Sequence, residues 1–105
     1  MIEDQEILST IKKVVLEHLP NAEVRLFGSR ARETTNTDSD YDILIITEQL
    51  LGSKDKFPLK TSIRKELLHF GIRTDILIQS RKDVSIKRKL PGHIIRNIMK
   101  EAIIL

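Results

Sequence analysis

Apolar positions recur at helical spacing near the start of the chain: Ile7, Ile11, Val14 and Val15 share one face from about Glu3 to His18, and Pro20 with Asn21 ends the pattern. The period then changes. Val24 to Phe27 reads as a short strand, and Tyr41 to Thr47 is apolar almost without interruption, as in a strand buried on both faces. Between them, Ser29 to about Glu33 reads as a helix starting on a Gly28-Ser29 turn, and Thr34 to Ser39 as a polar loop. Gly52 to Lys56 reads as loop. Leu59, Ile63, Leu67 and Phe70 mark one side of a further helix that Gly71 ends, and Arg73 to Gln79 is a third strand. Asp83 is placed to cap a short helix through Lys89, which Pro91-Gly92 breaks. Ile94, Ile95, Ile98, Met99, Ala102 and Ile103 form a final apolar stripe, and no repeat or low-complexity segment is present.

Carboxylates interrupt this pattern where strands begin. Asp40 and Asp42 stand two apart at the entrance to the second strand, so their side chains project the same way, about 7 Å apart along the chain. Asp75 opens the third strand as Asp42 opens the second. Carboxylates this close repel, cations between them relieve the repulsion, and hard oxygen ligands select magnesium or manganese. Gly28-Ser29 offers an anion free backbone N–H groups, a hydroxyl and the positive end of a helix. To meet at one site, the end of strand one must face the starts of strands two and three. Strands two and three then run parallel through a helical crossover, and strand one runs antiparallel to strand two. The expected fold is α/β (α+β), a small mixed β-sheet flanked by helices.

Composition narrows the setting. The 105 residues suit a single domain, 1–105, and 40% hydrophobic with 31% charged residues is the balance of a soluble globular chain. One tyrosine and three phenylalanines leave little for stacking of bases. The absence of cysteine excludes disulfides, a thiolate nucleophile and zinc-thiolate sites, and points to the cytoplasm. The acidic start and the lack of any apolar stretch of membrane length argue against a secretory signal and a spanning helix, so no membrane role is expected. A net charge of +3 is compatible with phosphate-rich partners, but it is spread along the chain and decides little.

Gly28-Ser29, then Asp40-x-Asp42, then Asp75 on a later strand resemble the DNA polymerase beta-like nucleotidyltransferase superfamily. The stretch Gly28-Ser29-Arg30-Ala31-Arg32 is similar to its minimal prokaryotic branch, the MNT proteins. The resemblance spans almost the whole chain in element order, and departs from it at Glu33, where many members carry glycine. It implies in-line attack on an α-phosphate with two cations about 3.5 to 4 Å apart. Asp40 and Asp42 would then ligate both Mg2+ ions, and Asp75 would ligate the catalytic one and accept the proton of the incoming hydroxyl. Gly28 and Ser29 would hold the β- and γ-phosphates of ATP. Arg30 and Arg32 follow in the first turn; Arg32 would reach the phosphates or the partner, with pairing to Asp38 or Glu33 as the plain structural role. Minimal members are often paired with HEPN proteins, as antitoxin and ribonuclease toxin. The resemblance therefore implies a hetero-oligomeric antitoxin that transfers AMP to a hydroxyl, expected to be a tyrosine, of a HEPN-domain toxin. Transfer to RNA or a small molecule, and neutralisation by contact alone, are the alternatives.

Other residues carry plainer readings. Asp38, Asp40 and Asp42 match the start of a calcium loop, but Ile43 stands where that loop needs glycine and Gln49 where it needs glutamate. Tyr41 faces away from the aspartates and reads as core with a tethered hydroxyl. His18, His69 and His93 share no ligand spacing and read as residues of helix surfaces or ends. Arg81, Lys82, Lys87, Arg88 and Lys89 read as a solvated face, with a nucleic-acid footprint as the alternative. Ile94 to Leu105 ends in three apolar residues, more than a small monomer readily buries, so part of it is expected to meet a partner.

Overall fold

The computed structural model describes residues 2–32 and 39–105. In chain order the elements are α1 (Ile2–His18), β1 (Glu23–Phe27), α2 (Gly28–Arg32), β2 (Tyr41–Thr47), α3 (Ser53–His69), β3 (Thr74–Ser80), α4 (Arg81–Lys87), α5 (Ile94–Glu101) and β4 (Ile103–Ile104). The strands lie side by side in the order β3-β2-β1-β4. β1 is antiparallel to β2 and β4, whereas β2 and β3 are parallel. The mixed sheet flanked by helices is the arrangement that the position of the carboxylates demands.

The uninterrupted apolar run of β2 has a direct structural cause. Ile43 and Ile45 join Ile11, Val14, Val15, Ile63 and Leu67 in a core formed with α1 and α3 on one face of the sheet. Leu44 and Ile46 point the other way, into a smaller cluster with Val84 of α4 and Ile95 and Ile98 of α5. Helices on both faces remove the solvated side that would require alternation.

Several boundaries differ from the sequence reading. Ser53 to Lys56 is the first turn of α3, not loop, with the carbonyl of Gly52 accepting from the amides of Asp55 and Lys56. A solvated first turn needs no apolar residue, so hydrophobic spacing is silent there. Phe70 leaves the stripe of Leu59, Ile63 and Leu67: it caps the helix and is 62% exposed. Gly71, at φ +75°, reverses the chain, its amide reaching the Leu68 carbonyl and that of Ile72 the Leu67 carbonyl. Ser80, rather than Asp83, caps α4, its hydroxyl accepting from the Asp83 amide at 3.0 Å, and the helix stops at Lys87. Ile103 is not part of a helical stripe. The chain becomes extended at Ala102 and adds β4 to β1, pairing Ile103 with Leu26 and Ile104 with Arg25. A two-residue strand is too short to leave a period. Ile94 begins α5 and is exposed, as are Ile103 and Ile104.

Candidate active site

The parallel register of β2 and β3 sets Asp42 directly beside Asp75, while the antiparallel register of β1 sets Phe27 opposite Asp42. The residue after Phe27 is Gly28, the first of α2, and its backbone packs against the Asp42 carboxylate. A Cβ built on Gly28 would lie 2.1 Å from Asp42 Oδ2, and the backbone there has φ +74°, a conformation that favours glycine. Two independent reasons thus fix this residue type. Ser29 follows in the first turn, half-buried.

Arg30 and Arg32, one helical position apart from facing each other, do different things. Arg30 donates from Nε (3.1 Å) and Nη2 (2.7 Å) to the carbonyl of Ser39, and its guanidinium lies 4.3 Å from the centre of the Tyr41 ring. It braces the start of α2 against the entry of β2, where the aspartates sit. Tyr41 is buried, on the side of the sheet expected of it. Arg32 donates to Glu101 Oε2 at 2.8 Å, tying α2 to the last residue of α5. Asp38 and Glu33, the partners considered for these arginines, lie outside the described residues, as does most of the loop from Thr34.

Asp40 is exposed and lies 3.4 Å from Arg73 Nε. Turned to that partner, it does not close a cage: among the described residues no three acidic, histidine or cysteine side chains converge on one point. The electrostatics nevertheless single out Asp42. Burial pushes its pKa up from the ordinary 3.8, and the charges of Asp75, Asp40 and Glu101 push the same way, against the pull of Arg32. A half-buried carboxylate among three others is an environment that a divalent cation relieves, and the donor set is all hard oxygen. The residues fit such a cation, with Asp42 and Asp75 to hold it and Asp40 to join them on leaving Arg73.

The histidines play no part here. His18 lies 3.3 Å from Glu66, His93 Nδ1 accepts from the Ile95 amide at the start of α5, and His69 closes α3. Sequence reasoning missed Glu101, which no motif marks and which only the docking of α5 brings to the site. It also missed the face of α3 that borders Asp75, where a groove of about 330 Å³ runs between α3 and β3.

The family model for the nucleotidyltransferase domain matches residues 8–105. A solved structure described as a minimal nucleotidyltransferase is 28% identical, with 99% of this chain and 90% of that one covered at a TM-score of 0.53. A second, a nucleotidyltransferase from Sulfolobus solfataricus, shares the fold at 22% identity and a TM-score of 0.57, with 98% and 79% covered. No curated protein matches the chain.

Proposed function

The chain belongs to the nucleotidyltransferase domain family, in its minimal branch, and from that premise we propose that it carries AMP from ATP to a hydroxyl of a partner protein, a tyrosine of a HEPN-domain toxin, and so acts as an antitoxin. The observation that carries the chemistry is the register of Asp42 beside Asp75 with Gly28 packed against the Asp42 carboxylate. Only a residue without a side chain lets a backbone N–H turn and a carboxylate come so close, so the triphosphate and the groups that act on it share one small space.

Each residue then has a task. Gly28 and Ser29 hold the β- and γ-phosphates through backbone amides and the hydroxyl. Arg30 is a positioning residue, because its guanidinium is engaged with Ser39 and Tyr41. Arg32 donates to Glu101, its charge acts on Asp42, and it would meet the triphosphate from there. Asp40, Asp42 and Asp75 would hold two Mg2+ ions, which when bound neutralise the phosphates and lower the pKa of the attacking hydroxyl. Asp75, exposed near the start of β3, takes the hydroxyl's proton in this reading.

A protein acceptor is favoured over RNA by the fate of the basic cluster. Arg81 pairs with Glu48 at 2.9 Å and Lys87 donates to Gln79, so part of the cluster is engaged within the chain. Exposed Ile94, Ile103 and Ile104 offer instead an apolar surface. The test is to incubate the protein with a HEPN-type protein found encoded beside it, ATP and magnesium, and to weigh that protein intact. A gain of whole AMP units, and inactivity that persists after the antitoxin is removed, is the expected result. An unmodified partner, inhibited equally by wild type and by Asp42→Ala, would establish binding as the function and overturn transfer.

A further inference from the structure

Helix α3 presents two stripes. Leu59, Ile63 and Leu67 enter the core, whereas Phe57, Lys60, Thr61 and Arg64, spaced i, i+3, i+4 and i+7, line the groove against Thr74 and Asp75 of β3. The contents of this second stripe are unlike those of an idle solvated face. Phe57 is 73% exposed at its rim. Neither Lys60 nor Arg64 forms an ion pair with any described residue. Thr74, only 6% exposed, lines the floor, and its buried hydroxyl has no hydrogen-bond partner among the described residues. Buried hydroxyls are as a rule paired, and this one, beside the groove, is an exception.

The groove carries Lys60 and Arg64 of α3 on one wall, and Asp75 of β3, with Asp40, lines the other side. We propose that it seats the acceptor, as an acidic peptide segment that carries a hydroxyl side chain; this rests on the transfer reading above. The segment's carboxylates meet Lys60 and Arg64, an apolar or aromatic neighbour packs on Phe57, and the hydroxyl lies at the Asp75 end. Lys60 and Arg64, the two cations of the α3 wall, without an ion pair among the described residues, select this occupant. In the transfer step the hydroxyl oxygen bonds to the α-phosphorus of the nucleoside triphosphate, and the bond from that phosphorus to the bridging oxygen of the β-phosphate breaks. Pyrophosphate leaves with the electron pair, and the hydroxyl proton passes to the Asp75 carboxylate.

Binding is measured apart from catalysis, by titrating the isotope-labelled protein with two tyrosine pentapeptides, one flanked by glutamates and one by lysines, and with a short oligoadenylate RNA. The acidic peptide is expected to shift the amide resonances of Lys60, Thr61, Arg64 and Thr74 and to bind about tenfold more tightly than the basic one, as two exposed ion pairs would give. In the double variant K60E/R64E the order should invert, a gain that misfolding cannot produce. Equal binding of both peptides, no shifts at these residues, or shifts from the RNA alone would overturn the groove as a peptide seat while leaving nucleotidyl transfer standing. Binding of the acidic peptide without its labelling by ATP and magnesium would uphold the groove and count against transfer.

Discussion

The two ends of the sheet bear clefts of similar size and opposite character. At the far end, a cleft of about 270 Å³ is lined by His18, Leu19, Thr47, Glu48 and their neighbours. Charge there is settled locally: His18 faces Glu66, Arg81 pairs with Glu48, Arg25 with Glu23, and the Ser80 hydroxyl caps α4. At the near end, Asp42 lies half-buried among Asp75, Asp40 and Glu101, with Arg32 as its countercharge. Volume does not separate the two clefts; the crowding of Asp42 does. Asp40 and Glu101 have arginine partners, but Asp42 between them is left half-buried among like charges, the kind of environment found at functional sites.

The sharpest break of this comparison removes a carboxylate at the near end. Asp42→Asn and Asp75→Asn should each fold and lose transfer by at least about 10²-fold, the scale on which one preorganised electrostatic group is felt. Transfer of label from ATP in the presence of magnesium measures this, and near wild-type rates would end the assignment.

Next comes a contrast of glycines. Gly28 and Gly71 share nearly the same φ, +74° and +75°, but a Cβ on Gly71 meets nothing within 4 Å whereas one on Gly28 meets Asp42. Gly71→Ala should cost about 1 to 2 kcal/mol in stability and leave transfer intact. Gly28→Ala should cost a similar amount, since the Asp42 carboxylate can rotate away, yet lose activity as that rotation displaces it. Gly28→Val should weaken binding of a non-hydrolysable ATP analogue more than Ser29→Ala, which removes one hydrogen bond of about 0.5 to 1.5 kcal/mol. Chemical denaturation and calorimetric titration give both orders.

A subtler test uses the sign of the linkage. The folded-state pKa of Asp42 is raised, so the folded protein binds more protons than the unfolded chain between the ordinary value of 3.8 and the raised one. Ionised Asp42 therefore lowers stability as pH rises through that window, and the penalty persists at neutral pH. Without metal, Asp42→Asn should melt above wild type at pH 7, with the gap closing on acidification to below 3.8. Magnesium should raise the melting temperature of wild type more than that of the variant. At the far end, Arg81→Ala breaks an exposed pair with Glu48 and should change stability by less than about 1 kcal/mol and transfer not at all.

How far the sequence was readable follows the same division. Asp40, Asp42 and Asp75 were visible because carboxylates at strand entrances violate the apolar pattern around them, and β2 was bounded correctly because its run is buried on both faces. The topology followed from requiring the three to meet. What stayed hidden depends on packing between distant segments. Glu101 is an ordinary helical glutamate until α5 docks. The stripe from Phe57 to Arg64 resembles a solvated face until β3 supplies its other wall. β4 exists only through its pairing with β1. For Arg32 the sequence offered the phosphates, the partner, or the nearby Asp38 and Glu33, and gave no sign of Glu101, 69 positions away.

That last contact bears on the order in which the molecule can be completed. The turn at Gly28 leaves the ribosome early, but the residue that holds the arginine after it, Glu101, lies on α5, and β4, which pairs with β1, comes later still. Loops this long close slowly, and parallel pairing of β2 with β3 must also wait for α3 to cross over. A nascent chain therefore carries the Gly-Ser turn while α5 and β4 are still unmade, with neither the partner of Arg32 nor the second neighbour of β1 in place.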